Sequence, residues 1–164
     1  MVTDDEKLIT CNNVACKRSW KQCDESPQFA SKAIIHQKKV IQSMWWDFKG
    51  VVHFEVLPRN QMFNSTVYCH QLDKLNNAIN QKRPELMNRK GTVFHQDNAR
   101  PHTSLVTRQK LFELGWDVLP YPTYSPDLAL SDYHSFCSLQ NSLNHKTFNS
   151  NETINRHQIQ FFAS

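Results

Sequence analysis

The chain has 164 residues, enough for one domain that buries roughly 70% of the surface its unfolded form exposes. Its mean hydropathy is -0.62, and no run approaches the ~18 apolar residues of a membrane span, so neither a transmembrane helix nor a membrane partner is expected. Three glycines and no G-x-G-x-x-G or Walker A pattern argue against a glycine-rich phosphate loop, while a net charge of +4 admits a polyanionic partner without requiring one.

Val2 to Asn12 reads as a short strand carrying the acidic triplet Asp4-Asp5-Glu6. Acidic residues form strands poorly, so the triplet marks an edge or a site. The opening residues hold no apolar stretch, and a secretory signal is not expected. Asp24 to Ser31 reads as a loop. Val40 to Phe48 and Val51 to Leu57 are strand-like runs about a Lys49-Gly50 turn, and Pro58 ends the second, which predicts a hairpin. Asn64 or Ser65 can cap the next helix. Tyr68, Leu72, Leu75 and Ile79 follow on one helical face, and the helix should stop before Pro84.

Gly91 to His95 is a short apolar strand. Pro101 suits the first turn of a helix that runs to Leu114, with Gly115 just past its end. Trp116 to Leu119 is a further short strand, followed by a connection with Pro120, Pro122 and Pro126. Helices then cover about Ser131 to Leu143 and Asn151 to Phe162. Strands first, then strands alternating with helices, predict an α/β domain with a mixed sheet. The cysteines, at 11, 16, 23, 69 and 137, are odd in number and irregular in spacing, as reduced intracellular thiols would be. With no C-x-x-C and no H-E-x-x-H, a structural zinc site has little support.

The densest polar cluster is His95 to His102, between a buried strand and a helix start, where α/β sheets commonly bind ligands. A plain reading stays open beside that one: Asp97 or Asn98 making local turn hydrogen bonds. Asp132 opens a stripe continued by Phe136, Leu139 and Leu143, which puts a carboxylate on an inward helical face. Such a group needs a basic partner, a capping role or a cation. Carboxylates at 5, 97 and 132 could hold two divalent ions if the fold brought them together.

The run Phe94-His95-Gln96-Asp97-Asn98-Ala99-Arg100-Pro101-His102-Thr103 resembles the signature of mariner-type transposases. So does Tyr124-Ser125-Pro126-Asp127-Leu128-Ala129-Leu130-Ser131-Asp132-Tyr133-His134, and the 34 residues between Asp97 and Asp132 match the spacing of that group. Val2-Thr3-Asp4-Asp5-Glu6-Lys7 looks like the family's motif around its first catalytic Asp. The likeness extends over nearly the whole chain. A similar domain forms the second half of a fusion between a SET-type histone methyltransferase and a mariner transposase, but no SET motif is visible here.

The resemblance implies an RNase H-like fold, a mixed sheet flanked by helices as in retroviral integrases. It implies Asp5, Asp97 and Asp132 as catalytic residues and metal ligands for two Mg²⁺ (or Mn²⁺) ions. Arg100 and His102 would support the site or touch DNA, and pairing of Arg100 with a neighbouring carboxylate is the plain alternative. The implied partners are DNA and a second copy of the chain, and the implied place of action is the nucleus.

Mariner transposases carry an N-terminal helix-turn-helix region that is not visible here. The chain is therefore expected to be one catalytic domain, 1–164, cut close before Asp5 and again at its C-terminus. Asp4 stands where the family usually has Gly, Leu8 where it has Trp, and Leu130 where it has Pro. Two functions follow. A metal-dependent DNA nicking and strand-transfer domain would lose nicking on Asp97→Ala. An inactive or domesticated remnant that binds DNA and dimerises would show salt-sensitive binding indifferent to Asp132→Asn. A remnant without stable structure would melt broadly, without cooperativity.

Overall fold

A computed structural model describes residues 1–13, 38–88, 92–122 and 136–163. The predicted loop over Asp24 to Ser31, and Asp132 with the start of its helix, lie outside them.

Five strands form one mixed sheet in the order β3-β2-β1-β4-β5. They are β1 Val2–Thr10, β2 Lys39–Asp47, β3 Gly50–Val56, β4 Val93–His95 and β5 Asp117–Val118. β1 pairs antiparallel with β2 and parallel with β4, so a strand bearing three acids sits at the centre of the sheet. Pairing on both sides overrides the poor strand propensity of those acids. The hairpin of β2 and β3 forms as expected, and Gly50 takes the positive φ of 119° that closes its turn.

Helix α1, Ser65–Lys82, starts where Asn64 Oδ1 accepts the Val67 N–H at 2.9 Å. Asn64, not Ser65, is thus the cap, and Asn64→Ala should cost about 1 kcal/mol of stability in a urea melt. A short helix α2, Pro84–Asn88, follows without a sequence signal that singled it out. The helix expected from Pro101 to Leu114 is two: α3, Arg100–Thr103, and α4, Leu105–Glu113. Ser104 between them is extended, and its Oγ accepts the Thr107 N–H at 3.2 Å, so it caps a second start. Gly115 has φ 68° just after α4, the conformation expected of it. Helices α5, Cys137–Leu143, and α6, Asn151–Ala163, complete the described residues.

The core lies in two layers. Val2, Trp45, Val52 and Phe94 of the sheet pack with Tyr68, Leu72, Leu75 and Ile79 of α1 and with Leu111 of α4. On the opposite face Ile9, Val40, Met44 and Val56 pack with Phe136, Leu139, Leu143 and Ile154. Helices on both faces of a mixed sheet are the layered arrangement expected from the element order. Cys11, Cys69 and Cys137 are free thiols.

His53 on β3 stacks on Trp45 with ring centroids 5.6 Å apart. Burial, reinforced by Lys82 and Lys74 and opposed by Glu55, holds its pKa below the ordinary imidazole value. Its Nε2 has no hydrogen-bond partner among the described residues. An unfolded His53 takes up a proton near pH 6.5, whereas the folded one resists it. This contribution to stability is therefore complete above about pH 6.5 and is lost as pH falls below that value. His53→Gln should flatten the acid limb of stability against pH between 7 and 5. Urea melts with an unchanged slope would contradict this.

Candidate active site

Alternation along β1 sends Val2, Asp4 and Glu6 toward α1, and Thr3, Asp5 and Lys7 toward the face covered by α5 and α6. Lys7 illustrates the second set: its Nζ donates to the Phe136 carbonyl at 3.1 Å. Asp5 Oδ1 accepts the Glu6 backbone N–H at 2.8 Å. The parallel register pairs Val2 with Phe94 and Thr3 with His95. Carried two residues further, it sets Asp5 level with Asp97, just beyond the C-terminal end of β4. Crevices beyond strand C-termini are where open α/β sheets bind ligands.

Asp97 is fixed by its own loop. Its Oδ1 accepts the Ala99 N–H at 2.8 Å and the His102 Nδ1–H at 2.5 Å. The His102 hydrogen bond, helped by Ala99, holds its carboxyl below the ordinary Asp range, so it is ionised at neutral pH. Half of its side chain (51%) stays exposed. The turn-forming and ligand-binding readings of this segment are thus compatible, since Oδ1 serves the loop and the carboxylate still faces solvent. Asn98 donates its Nδ2–H to the Tyr121 carbonyl at 2.8 Å and ties the loop to the chain after β5. Asp97 also lines a cavity of about 370 Å³ together with Arg108, Phe112, Trp116 and Tyr121.

His102 is 1% exposed and joins the two faces of the site. Its Nε2–H meets Glu6 Oε1 at 3.0 Å while Nδ1–H is held by Asp97. Burial alone would lower its pKa, but the bonds to Asp97 and Glu6 and the charge of Asp4 push it up to about 10. It is an imidazolium at neutral pH and donates to both carboxylates. Arg100 opens α3, is exposed, and makes no ion pair with a described carboxylate.

Four residues that sequence reasoning did not assign to the site adjoin it: Asp4, Glu6, Tyr68 and Gln96. Asp4 is buried, and its carboxyl is pushed well above the ordinary range by burial first and the Glu6 carboxylate second. The Tyr68 hydroxyl sits between Asp4 Oδ2 and Gln96 Oε1, the latter at 2.9 Å. The Tyr68 hydroxyl donates to Asp4, which orients that carboxyl inside the core. The acidic triplet was the available signal for Asp4 and Glu6. Tyr68 looked like one more residue of the apolar face of α1, and its hydroxyl gave no sign of a polar partner. Asp132 lies outside the described residues. Of its predicted stripe, Phe136, Leu139 and Leu143 are all buried.

The family described as transposase (partial DDE domain) matches residues 10–89. The histone-lysine N-methyltransferase SETMAR of Homo sapiens is 40% identical over 164 residues, covering 100% of this chain and 24% of that protein. The mariner Mos1 transposase of Drosophila mauritiana is 38% identical over 165 residues, covering 100% of this chain and 48% of its own length. The chain thus spans about half of one relative and a quarter of the other. Among solved structures, the Mos1 transposase paired-end complex with left transposon end superposes with a TM-score of 0.87 at 37% identity, over 99% of this chain and 47% of that one. The Mos1 transposase catalytic domain with raltegravir and Mn gives 0.77 at 36% identity, over 99% of this chain and 70% of that one. The same catalytic domain has also been solved with raltegravir and Mg.

Proposed function

The chain belongs to the mariner transposase family, and from that premise we propose that it is a catalytic domain for metal-dependent DNA nicking and strand transfer, the chemistry of DNA transposition and integration. The observation that supports it is the parallel register of β1 and β4, which, carried two residues on, sets Asp5 level with Asp97 just past the end of β4, while alternation puts Asp5 on the sheet face against which Phe136, four residues after Asp132, is packed.

The donors fit magnesium or manganese. They are carboxylate oxygens, and Asp97 is both ionised and half exposed. Asp5, Asp97 and Asp132 would hold two ions. When bound, such ions lower the pKa of an attacking water and stabilise the leaving oxygen of a phosphodiester. The chain's own contribution is positioning. His102 and Ala99 fix Asp97 before any substrate arrives, so no rotamer has to be ordered at the moment of reaction. Arg100, exposed and free of described carboxylates, is placed to meet a backbone phosphate. The cavity beside Asp97 offers Arg108 and the aromatic rings of Phe112 and Tyr121 to a nucleotide.

Relatives solved with Mn or Mg, and with a transposon end, support the choice of ion and of DNA as partner. A homodimer and action in the nucleus belong to the same proposal. The test is nicking of supercoiled plasmid in Mg²⁺ or Mn²⁺. A cooperatively melting preparation that nicks in neither ion would overturn the proposal.

A further inference from the structure

We propose that Asp4, Glu6 and His102 form a second metal site, on the opposite face of β1 from Asp5, that takes one Zn²⁺-type transition-metal ion. Each residue presents one donor atom, and the three atoms lie within 4.8 Å of one another. His102 Nε2 is 3.0 Å from Glu6 Oε1 and 4.0 Å from Asp4 Oδ2. Around a tetrahedral zinc with bonds of about 2.0–2.1 Å, ligand atoms are spaced about 3.3 Å apart, so the observed separations bracket the requirement. An imidazole nitrogen with two carboxylates suits zinc better than magnesium, which prefers oxygen ligands alone.

The surroundings are those of a metal-binding histidine. Asp97 holds Nδ1–H at 2.5 Å, which fixes the ring and aims Nε2 at the two carboxylates. Tyr68 orients the Asp4 carboxyl. The independent pointer to a ligand is Asp4 Oδ1: the side chain has no exposed surface, and this oxygen has no hydrogen-bond partner among the described residues. A buried carboxylate oxygen left without a partner is costly. Glu6, with a side chain 17% exposed, is the way in, and a water can complete the coordination from that side. A bound ion would supply positive charge between the two carboxylates.

The site does not depend on the catalytic reading, and its test reads binding rather than activity. The full chain carrying Asp5→Asn and Asp132→Asn, which disables the opposite face, is titrated with Zn²⁺ and with Co²⁺ as a coloured reporter. One equivalent should bind and resist a hundredfold excess of Mg²⁺. Adding Asp4→Gly should weaken binding about a hundredfold, and Glu6→Gln about tenfold or more, both in proteins that still melt cooperatively. Should Asp4→Gly fail to fold, Glu6→Gln decides. No binding by the folded Asp5→Asn, Asp132→Asn chain, or binding that a folded Asp4→Gly or Glu6→Gln variant leaves unchanged, would overturn the site.

Discussion

Asp97→Asn should reduce divalent-dependent DNA nicking by about a thousandfold or more, while the protein still melts cooperatively. The substitution is a narrow one. Asn keeps an Oδ1 that can accept from the Ala99 N–H and from His102 Nδ1–H, so the loop geometry survives. What it removes is the negative charge that would hold a divalent ion. A bound metal ion stabilises a phosphoryl transition state by several kcal/mol, and about 4 kcal/mol corresponds to a thousandfold in rate. The half-exposed position of Asp97 keeps the cost in stability small. Nicking rates of the two proteins at saturating Mn²⁺ check the prediction. A rate within threefold of the parent would show that Asp97 holds no essential ion.

The largest loss of stability is expected at Trp45. Its side chain is fully buried, centred between β1 and β3 and stacked on His53. Removing a buried aromatic ring leaves a cavity that the sheet and α1 cannot close, and such changes cost about 3–5 kcal/mol. Native domains are stable by only about 5–15 kcal/mol, so Trp45→Ala should lower the urea midpoint severely. Phe112 makes the contrast. It is an aromatic of similar hydrophobic character but 85% exposed, and Phe112→Ala should move stability by no more than about 0.5 kcal/mol. Equal effects of the two substitutions would mean that the core is not where the structure puts it.

Much of this was legible in the residues. Alternation and turn chemistry located the hairpin, because Gly50 and Pro58 punctuate runs whose side chains switch faces with period two. The i, i+4 rhythm from Tyr68 to Ile79 located α1, since those four positions alone line its buried face among the apolar residues. The break at Ser104 was not legible. Pro101 and Gly115 mark only the outer limits of a helical region, and an interior serine becomes a cap only through its partner, Thr107. The motif around Asp97 showed where chemistry sits but not that His102 would be buried beneath it. That requires β1 to run beside β4, a pairing across more than ninety residues that no local pattern encodes. The role of Asp4 was hidden for the same reason: an extra acid beside Asp5 reads as more charge at one site, whereas alternation sends it to the other face.

The central position of β1 also governs the order in which the chain must assemble. Its antiparallel partner β2 lies a few tens of residues away, and the β2–β3 hairpin is closed by a tight turn. Its parallel partner β4 is reached only through α1, and the two share two register pairs, Val2 with Phe94 and Thr3 with His95. Closing a long loop costs entropy before a short parallel ladder returns anything, so that edge should form last. In folding kinetics, Val52→Ala in β3 should slow folding, whereas Val93→Ala in β4 should act mainly by speeding unfolding. The reverse pattern would mean that the parallel edge nucleates the fold. If the order holds, Asp97 is brought level with Asp5 only in the final step, and every partly assembled chain lacks a competent site.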